Sequence, residues 1–357
     1  MKVVHIESGL GNQMLSFGEY LVLKKLHPDE DIYIETITYD IPETSEVINQ
    51  WNGYELERIF GIHVPNVKDL FTPEQWAQVL KEVRDSHYWD KNWNYPVYIT
   101  RALNHAGLEL KNIRGDFESP LSGVHNVNMK VTPKPTFKGR FIDTPVGNLL
   151  RRYRRYMKRN ALIRFYAHHD QIFYRGDENI FTGQWLGLKM RNSGIELVAD
   201  EIRQSFRFPD FTGEQNRAMA ALLSSSQSVA IHARRGDMLG NNGYCYKLYG
   251  YFRRAVKYIR RRVDHPLFVF FTDPGSVEWC RSNPEIFGLD FDRDKVLFVD
   301  WNKAEHSYRD MQLMACCKHA IITNSSFGWW GAYFITNPGK ITISPMEEIA
   351  ISTTHHC

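Results

Sequence analysis

Residues 228–237 read Ser-Val-Ala-Ile-His-Ala-Arg-Arg-Gly-Asp, and this segment constrains the fold more than any other. The apolar run 229–231 reads as a short buried strand, and it leads straight into His232, Arg234, Arg235 and Asp237. Two adjacent guanidiniums are costly in a core and useful in a cleft, so the strand has to end where they begin. An arginine fork matches phosphate oxygens in a bidentate way. Ligands of open α/β sheets sit outside the carboxyl ends of the strands. The segment therefore has the chemistry of a diphosphate site, although an exposed turn of solvated charges would read the same.

The surrounding pattern repeats this arrangement. Residues 3–6 carry a strand signal, followed by Gly9-Leu-Gly-Asn-Gln13 as a tight turn, an apolar helical stripe at 14–26 and a second strand at 31–37. Strand, glycine turn, helix, strand is the opening of a Rossmann-like layer. Helical patterns follow at 73–85 and 197–206, and residues 112–148 show no period. Phe208-Pro-Asp-Phe-Thr-Gly213 breaks the pattern, which places a domain boundary between 1–213 and 214–357. Beyond it, helices at 216–223, 249–261 and 308–317 alternate with strands at 229–231, 266–271, 296–299 and 319–322. A further helix begins at 327–334. That alternation predicts a second parallel α/β domain.

Bulk properties exclude some classes. The 357 residues suffice for about two domains. The net charge of +3 is too small to imply nucleic acid. Charge is instead concentrated in Arg151-Arg-Tyr-Arg-Arg-Tyr-Met-Lys-Arg159, a run suited to anionic lipid head groups, a phosphorylated acceptor or nucleic acid, or to a solvated helix face. The five cysteines have no Cys-x-x-Cys spacing, so zinc is not expected. Cys316 and Cys317 read as small core residues of a reducing compartment. No run of about 18 apolar residues occurs and the first residues read as a strand, so a cytoplasmic protein is expected, peripheral on the inner membrane face through Arg151, Arg152, Arg154 and Arg155.

Three turns have chemistry to share. Gly9-Leu-Gly-Asn-Gln13 suggests a dinucleotide fingerprint, with Glu35 near the place of a ribose-binding acid. Met14 stands where the third glycine belongs, and its bulk opposes close helix–strand packing, so a nicotinamide or flavin is not expected. The second is the turn of His232, Arg234, Arg235 and Asp237. The third, Thr323-Asn-Ser-Ser326, sits between a strand and a helix start, where hydroxyls cap free N–H groups or help them bind a phosphate. The paired tryptophans of Phe327-Gly-Trp-Trp-Gly331 either pack the helix or wall a ligand cleft.

Together, Gly9-Leu-Gly-Asn-Gln13, His232-Ala-Arg-Arg-Gly-Asp237 and Asn324-Ser-Ser-Phe-Gly-Trp-Trp-Gly-Ala332 resemble the signature set of bacterial α-1,2-fucosyltransferases, as does Phe181-Thr-Gly-Gln-Trp185 more loosely. The resemblance implies a GT-B-like α/β architecture, two Rossmann-like domains facing across a cleft. The 1–213 domain would serve the acceptor and the 214–357 domain the GDP-fucose donor. It implies transfer of L-fucose from GDP-β-L-fucose to the 2-hydroxyl of a terminal β-galactoside with inversion, without metal or other cofactor. The acceptor would include lipid-linked forms. Arg234 would hold the β-phosphate, His232 would lie by the nucleotide, Asp310 would contact guanine, and Ser325, Ser326 and Phe327 would line the phosphate site. Asn12 would reach the donor from the facing domain. Asp273 matches the first acid of the family's Phe-Ser-Asp-Asp, whose second acid is Pro274 here. Asp237, Glu7 and Asp116 are candidates for the base that takes the acceptor proton. Asp290-Phe-Asp292 has the Asp-x-Asp spacing of metal-dependent transferases but precedes a strand, so it reads as an exposed loop. Other classes remain open: another GDP-sugar or nucleotide-sugar transferase on the same fold, or a non-catalytic sugar- or nucleic-acid-binding protein.

Overall fold

The computed structural model describes residues 1–46, 52–88, 96–113, 179–183, 195–235, 250–344 and 354–356, with separate positions between 137 and 157. Packing divides the chain into two compact units, Met1–Gly123 with Tyr166–Pro209, and Val124–Phe165 with Asp210–Cys357.

The first unit is built on a four-stranded parallel sheet. β1 (Lys2–His5) lies between β2 (Ile32–Glu35) and β4 (Ile180–Thr182), and β3 (Lys111–Asn112) pairs with the far side of β4. Val3 and Phe181 bury against Val79 and Val83 of the helix Pro73–Asp85 and Ile99 and Leu103 of the helix Pro96–His105. The first of these helices starts where its sequence says it must. Thr72 and Gln75 exchange hydrogen bonds in a capping box, and Pro73 occupies a position whose N–H would be unpaired anyway. One expectation changes here: the 197–206 helix is a 3-10 turn, Ile195–Val198, leading into a short helix, Ala199–Ser205. Phe181 and Thr182, for which the sequence assigned no element, are strand residues.

The glycine turn expected at 9–13 is also different: Leu10–Leu26 is one helix, with Gly9 as its N-cap. The reversal falls instead on Ser8, whose φ is +65°. Gln13 explains why. Its buried side chain donates to the carbonyls of Ser8 (2.9 Å) and Gly53 (2.8 Å) and accepts from the Glu55 N–H (2.8 Å). These bonds pin the strained loop from inside the helix.

The second unit is a six-stranded parallel sheet in the order β10-β9-β8-β5-β6-β7. The strands are β5 (Ser228–Ala233), β6 (Leu267–Thr272), β7 (Lys295–Val299), β8 (His319–Ile322), β9 (Thr342–Ser344) and β10 (Thr354–His356). Every residue of β5 is buried, as a strand covered on both faces requires. Tyr251, Phe252, Ala255, Val256 and Ile259 of the helix Tyr251–Arg260 pack on it, the stripe read from the sequence. The chain runs outward from β5 through β6 to β7, then returns to β5's other side as β8. The direction of winding therefore reverses between β5 and β8, where such sheets open a crevice for ligands.

Trp329 and Trp330 of the helix Ser326–Phe334 are fully buried and meet edge to face at 4.8 Å, so they pack the helix rather than face a ligand. Gly331 permits this packing, because a Cβ there would lie 2.9 Å from the Met314 Cβ on the neighbouring helix Tyr308–Ala315. We expect Gly331→Ala to lower stability by about 1–3 kcal/mol through overpacking. Denaturant unfolding measures this, and an unchanged midpoint contradicts it.

Candidate functional site

The C-terminal ends of β5, β6 and β8 gather most of the residues singled out in the second unit. At the end of β5, Arg234 pairs with the Asp273 carboxylate just past β6, NH1 to Oδ1 at 2.5 Å. The other oxygen of Asp273 accepts the backbone N–H of Arg235 at 2.5 Å. One carboxylate thus fixes both the direction of the Arg234 fork and the backbone that carries it. Arg235 is fully buried, with its guanidinium 3.4 Å from the ring centroid of Trp279. The two arginines divide the work: Arg235 braces the turn by a cation–π stack, and Arg234 remains partly exposed.

His232 lies across the β5–β8 reversal. Its Nδ1 is 3.4 Å from the Thr323 hydroxyl, and its ring stacks on Phe327 at 5.8 Å. Burial, and then the Arg234 charge, push its pKa down to about 3, so the ring is neutral throughout the physiological range. Gly328 is required here, because a Cβ at that position would stand 2.4 Å from His232 Nδ1. The close approach brings the start of the helix Ser326–Phe334 up to the imidazole. Ser325 is the N-cap by backbone geometry, yet its hydroxyl makes no capping bond. Capping therefore does not account for it, and helix-end N–H groups of this kind suit an anion.

Asp310 sits in the first turn of Tyr308–Ala315 and accepts from Asn302 Nδ2 at 2.8 Å. It is not the solvated helix-start charge that its position suggests. Burial raises its pKa, Asn302 opposes this, and the Asp300 charge adds to it, leaving the carboxyl at about 7. Asp290 and Asp292 lie in an exposed turn, as expected, where the nearby Asp294 pairs with Arg260 at 2.5 Å. Among the described residues no three His, Cys, Asp or Glu side chains gather as a metal site. Nor is any helix among them long and apolar enough to cross a membrane.

In the first unit, Asn12 occupies the opening turn of Leu10–Leu26. Beside that helix lies a charged cluster that sequence reasoning touched only at Glu7 and Glu35. His5 Nδ1 bonds Glu35 Oε2 at 2.5 Å, and its Nε2 is 3.3 Å from Glu7 Oε2. Burial lowers the His5 pKa, but the two carboxylates outweigh it and raise it to about 9. Glu35 is fully buried and also accepts the Ile37 N–H, so it is committed to structure and does not serve a ribose. Gly183, at the end of β4, lets this strand meet His5: a Cβ there would stand 3.0 Å from the His5 Cβ. Asp237, Asp116, Arg151, Arg152 and Arg155 lie outside the described residues, and Arg154 is exposed.

Residues 192–351 match glycosyl transferase family 11, somewhat under half of the chain. The α-1,2-colitosyltransferase of Escherichia coli is 34% identical over 136 residues, covering 36% of this chain and 43% of that protein. The galactoside alpha-(1,2)-fucosyltransferase 1 of Saimiri sciureus is 30% identical over 147 residues, 38% of each chain. The matched region thus spans about two fifths of these relatives' own lengths. The crystal structure of NodZ alpha-1,6-fucosyltransferase co-crystallised with GDP aligns over 96% of this chain and 94% of that one, with a TM-score of 0.41 and 12% identity.

The buried His5 cluster gives a pH signature. Its folded pKa of about 9 lies above the ordinary 6.5, so its stabilisation is fully present below pH 6.5 and is lost as pH rises through 9. We expect the denaturation midpoint to fall over that window and His5→Gln to flatten the fall. A midpoint with the same pH slope in both proteins contradicts this.

Proposed function

We propose that this chain is a glycosyl transferase family 11 enzyme that transfers L-fucose from GDP-β-L-fucose to the 2-hydroxyl of a terminal β-galactoside, inverting the anomeric carbon. The observation that carries the reading is one of position. The matched region, 192–351, contains the Arg234–Asp273 pair, His232 and the start of the Ser326–Phe334 helix, all at the carboxyl ends of neighbouring parallel strands.

The chemistry follows from these residues. A departing diphosphate gains charge as the glycosidic bond breaks, and preorganised donors aimed at that charge lower the barrier. Arg234 offers a guanidinium already oriented by Asp273. Helix N–H groups near Ser325 and Ser326 add dipole and hydrogen bonds, and Phe327 holds the neutral His232 beside them. The reading uses no metal. The acceptor proton passes to Asp237, Glu7 or Asp116, or late in the reaction to water or to the departing phosphate. A second reading, transfer of another deoxysugar from its nucleotide donor, is favoured by the 34% identity to the colitosyltransferase. Turnover across a panel of nucleotide sugars separates the two.

We further infer that the basic run meets an anionic membrane carrying lipid-linked acceptors. Support comes from Leu149, Tyr153, Tyr156 and Met157, large apolar side chains exposed within and beside it. Replacing Arg151, Arg152, Arg154 and Arg155 by Gln is expected to reduce co-sedimentation with anionic vesicles at low salt. Equal binding of both proteins overturns it.

Arg234 provides the central test. Arg234→Ala is expected to cut kcat with GDP-fucose by roughly 10²–10³-fold, the usual loss for one preorganised stabiliser. Arg234→Lys is expected to remain badly impaired, since an ammonium cannot reproduce the fork. Arg235→Ala is expected to lower stability as well as rate, because it removes the stack on Trp279. A well-folded Arg234→Ala protein that keeps more than about a tenth of the wild-type kcat, a barrier change below about 1.4 kcal/mol, defeats the diphosphate role.

A further inference from the structure

Four side chains of the second unit form a hydrogen-bonded chain. Asn216 lies in the first turn of the helix Glu214–Ser225, Trp301 and Asn302 follow β7, and Asp310 opens the helix Tyr308–Ala315. Trp301 Nε1 donates to Asn216 Oδ1 at 2.8 Å. Asn216 Nδ2 donates to Asn302 Oδ1 at 2.8 Å, and Asn302 Nδ2 donates to Asp310 Oδ1 at 2.8 Å, with a longer bond to Asn216 Oδ1 at 3.2 Å.

The direction of this chain is forced from one end. An indole N–H can only donate, so Asn216 must turn its oxygen to Trp301 and its amide nitrogen to Asn302. Asn302 must then accept with its oxygen, which leaves its NH₂ for Asp310. Turning either amide over would set two acceptors or two donors against each other. Among the described residues Asn302 is the sole hydrogen-bond partner of the Asp310 carboxylate. The carboxylate is thus held through one oxygen and retains acceptor capacity on both.

We propose that Asn216, Trp301 and Asn302 are positioning residues that hold Asp310 as the reader of a guanine base. The proposal rests on the donor assignment made above and deepens it. Guanine presents two adjacent donors, N1–H and the exocyclic amine, which a carboxylate's two oxygens accept together. Adenine presents an acceptor at N1, which a carboxylate repels. Only the ionised carboxylate can take both guanine donors, and burial places Asp310 at about 7, so the supporting donor decides how much of it is ionised near neutrality. The other groups around it are Asp300, which disfavours ionisation, and the adjacent Arg309, whose guanidinium is taken by Gln312 at 2.7 Å and lies 5.6 Å from the Phe211 ring.

Calorimetric titration of the full chain with GDP, ADP and UDP between pH 5.5 and 8.5 tests this. Wild type is expected to prefer GDP and to bind it more tightly as pH rises through about 7. Asn302→Ala is expected to weaken GDP at pH 7 by about tenfold, the scale of a hydrogen bond to a charged group. It is also expected to move the pH midpoint upward while leaving ADP unchanged. Trp301→Phe keeps the ring, removes only the donor that sets the direction, and is expected to shift the midpoint the same way. It decides the question if Asn302→Ala unfolds. Variants that keep both wild-type GDP affinity and midpoint overturn the relay, as does a uniform loss at every pH with the midpoint unmoved. A wild type without preference for GDP overturns the guanine-donor reading itself.

Discussion

The Asp273 carboxylate is the point on which the second unit's strand ends depend. One oxygen holds Arg234 and the other holds the backbone N–H of Arg235, so a single group ties the end of β5 to the end of β6. A chain that leaves a buried strand with two guanidiniums in succession must separate their fates. Asp273 and Trp279 do so: one arginine is drawn under the turn onto an aromatic face, and the other stays at the strand's open end. Without the carboxylate, the Arg235 N–H and the Arg234 guanidinium would both lose this buried acceptor, and the loss of a buried acceptor costs more than the bond itself is worth.

Close backbone approach is the second requirement. Gly328 allows a helix start to reach His232, Gly331 allows the same helix to seat on Tyr308–Ala315, and Gly183 allows β4 to end against His5. In each case the side chain met by an added Cβ belongs to a residue far away in sequence. The glycines are therefore conditions of tertiary packing rather than of local turns. The helix Ser326–Phe334 shows both uses at once, with a tryptophan pair filling the core and a glycine facing the imidazole.

Two buried histidines show how neighbours decide charge. His232 sits beside Arg234 and is kept neutral, while His5 lies between Glu35 and Glu7 and is kept charged. Burial pushes both in the same direction, and only the sign of the adjacent groups separates them. A neutral ring at the β5–β8 reversal avoids placing a second cation beside Arg234. A charged ring in the first unit sets a positive charge between two buried carboxylates.

The sequence by itself determined the alternation of strand and helix. Its periodic apolar runs set β1, β2 and β5 to β8 and most of the helices between them, while β3, β4, β9 and β10 carried no such signal. It also located the polar strand ends at His232, Arg234 and Thr323, because charge and hydroxyl groups cannot continue a buried strand. The helical stripe from Tyr251 to Ile259 was legible for the same reason. Tertiary structure alone decided the rest. The Gly9–Gln13 segment became helix because Gln13 finds Ser8, Gly53 and Glu55, partners that local spacing does not reveal. Asp310 became a titrating group near neutrality because tertiary packing buries it, with the Asp300 charge adding to the rise and the Asn302 hydrogen bond opposing it. Asp273 acquired two arginine contacts because β6 pairs with β5 in one register, Ala233 opposite Thr272. Elements follow from local pattern, which the chain carries along its length. Partners follow from which distant segments pack together, and that is fixed only when the sheet is assembled.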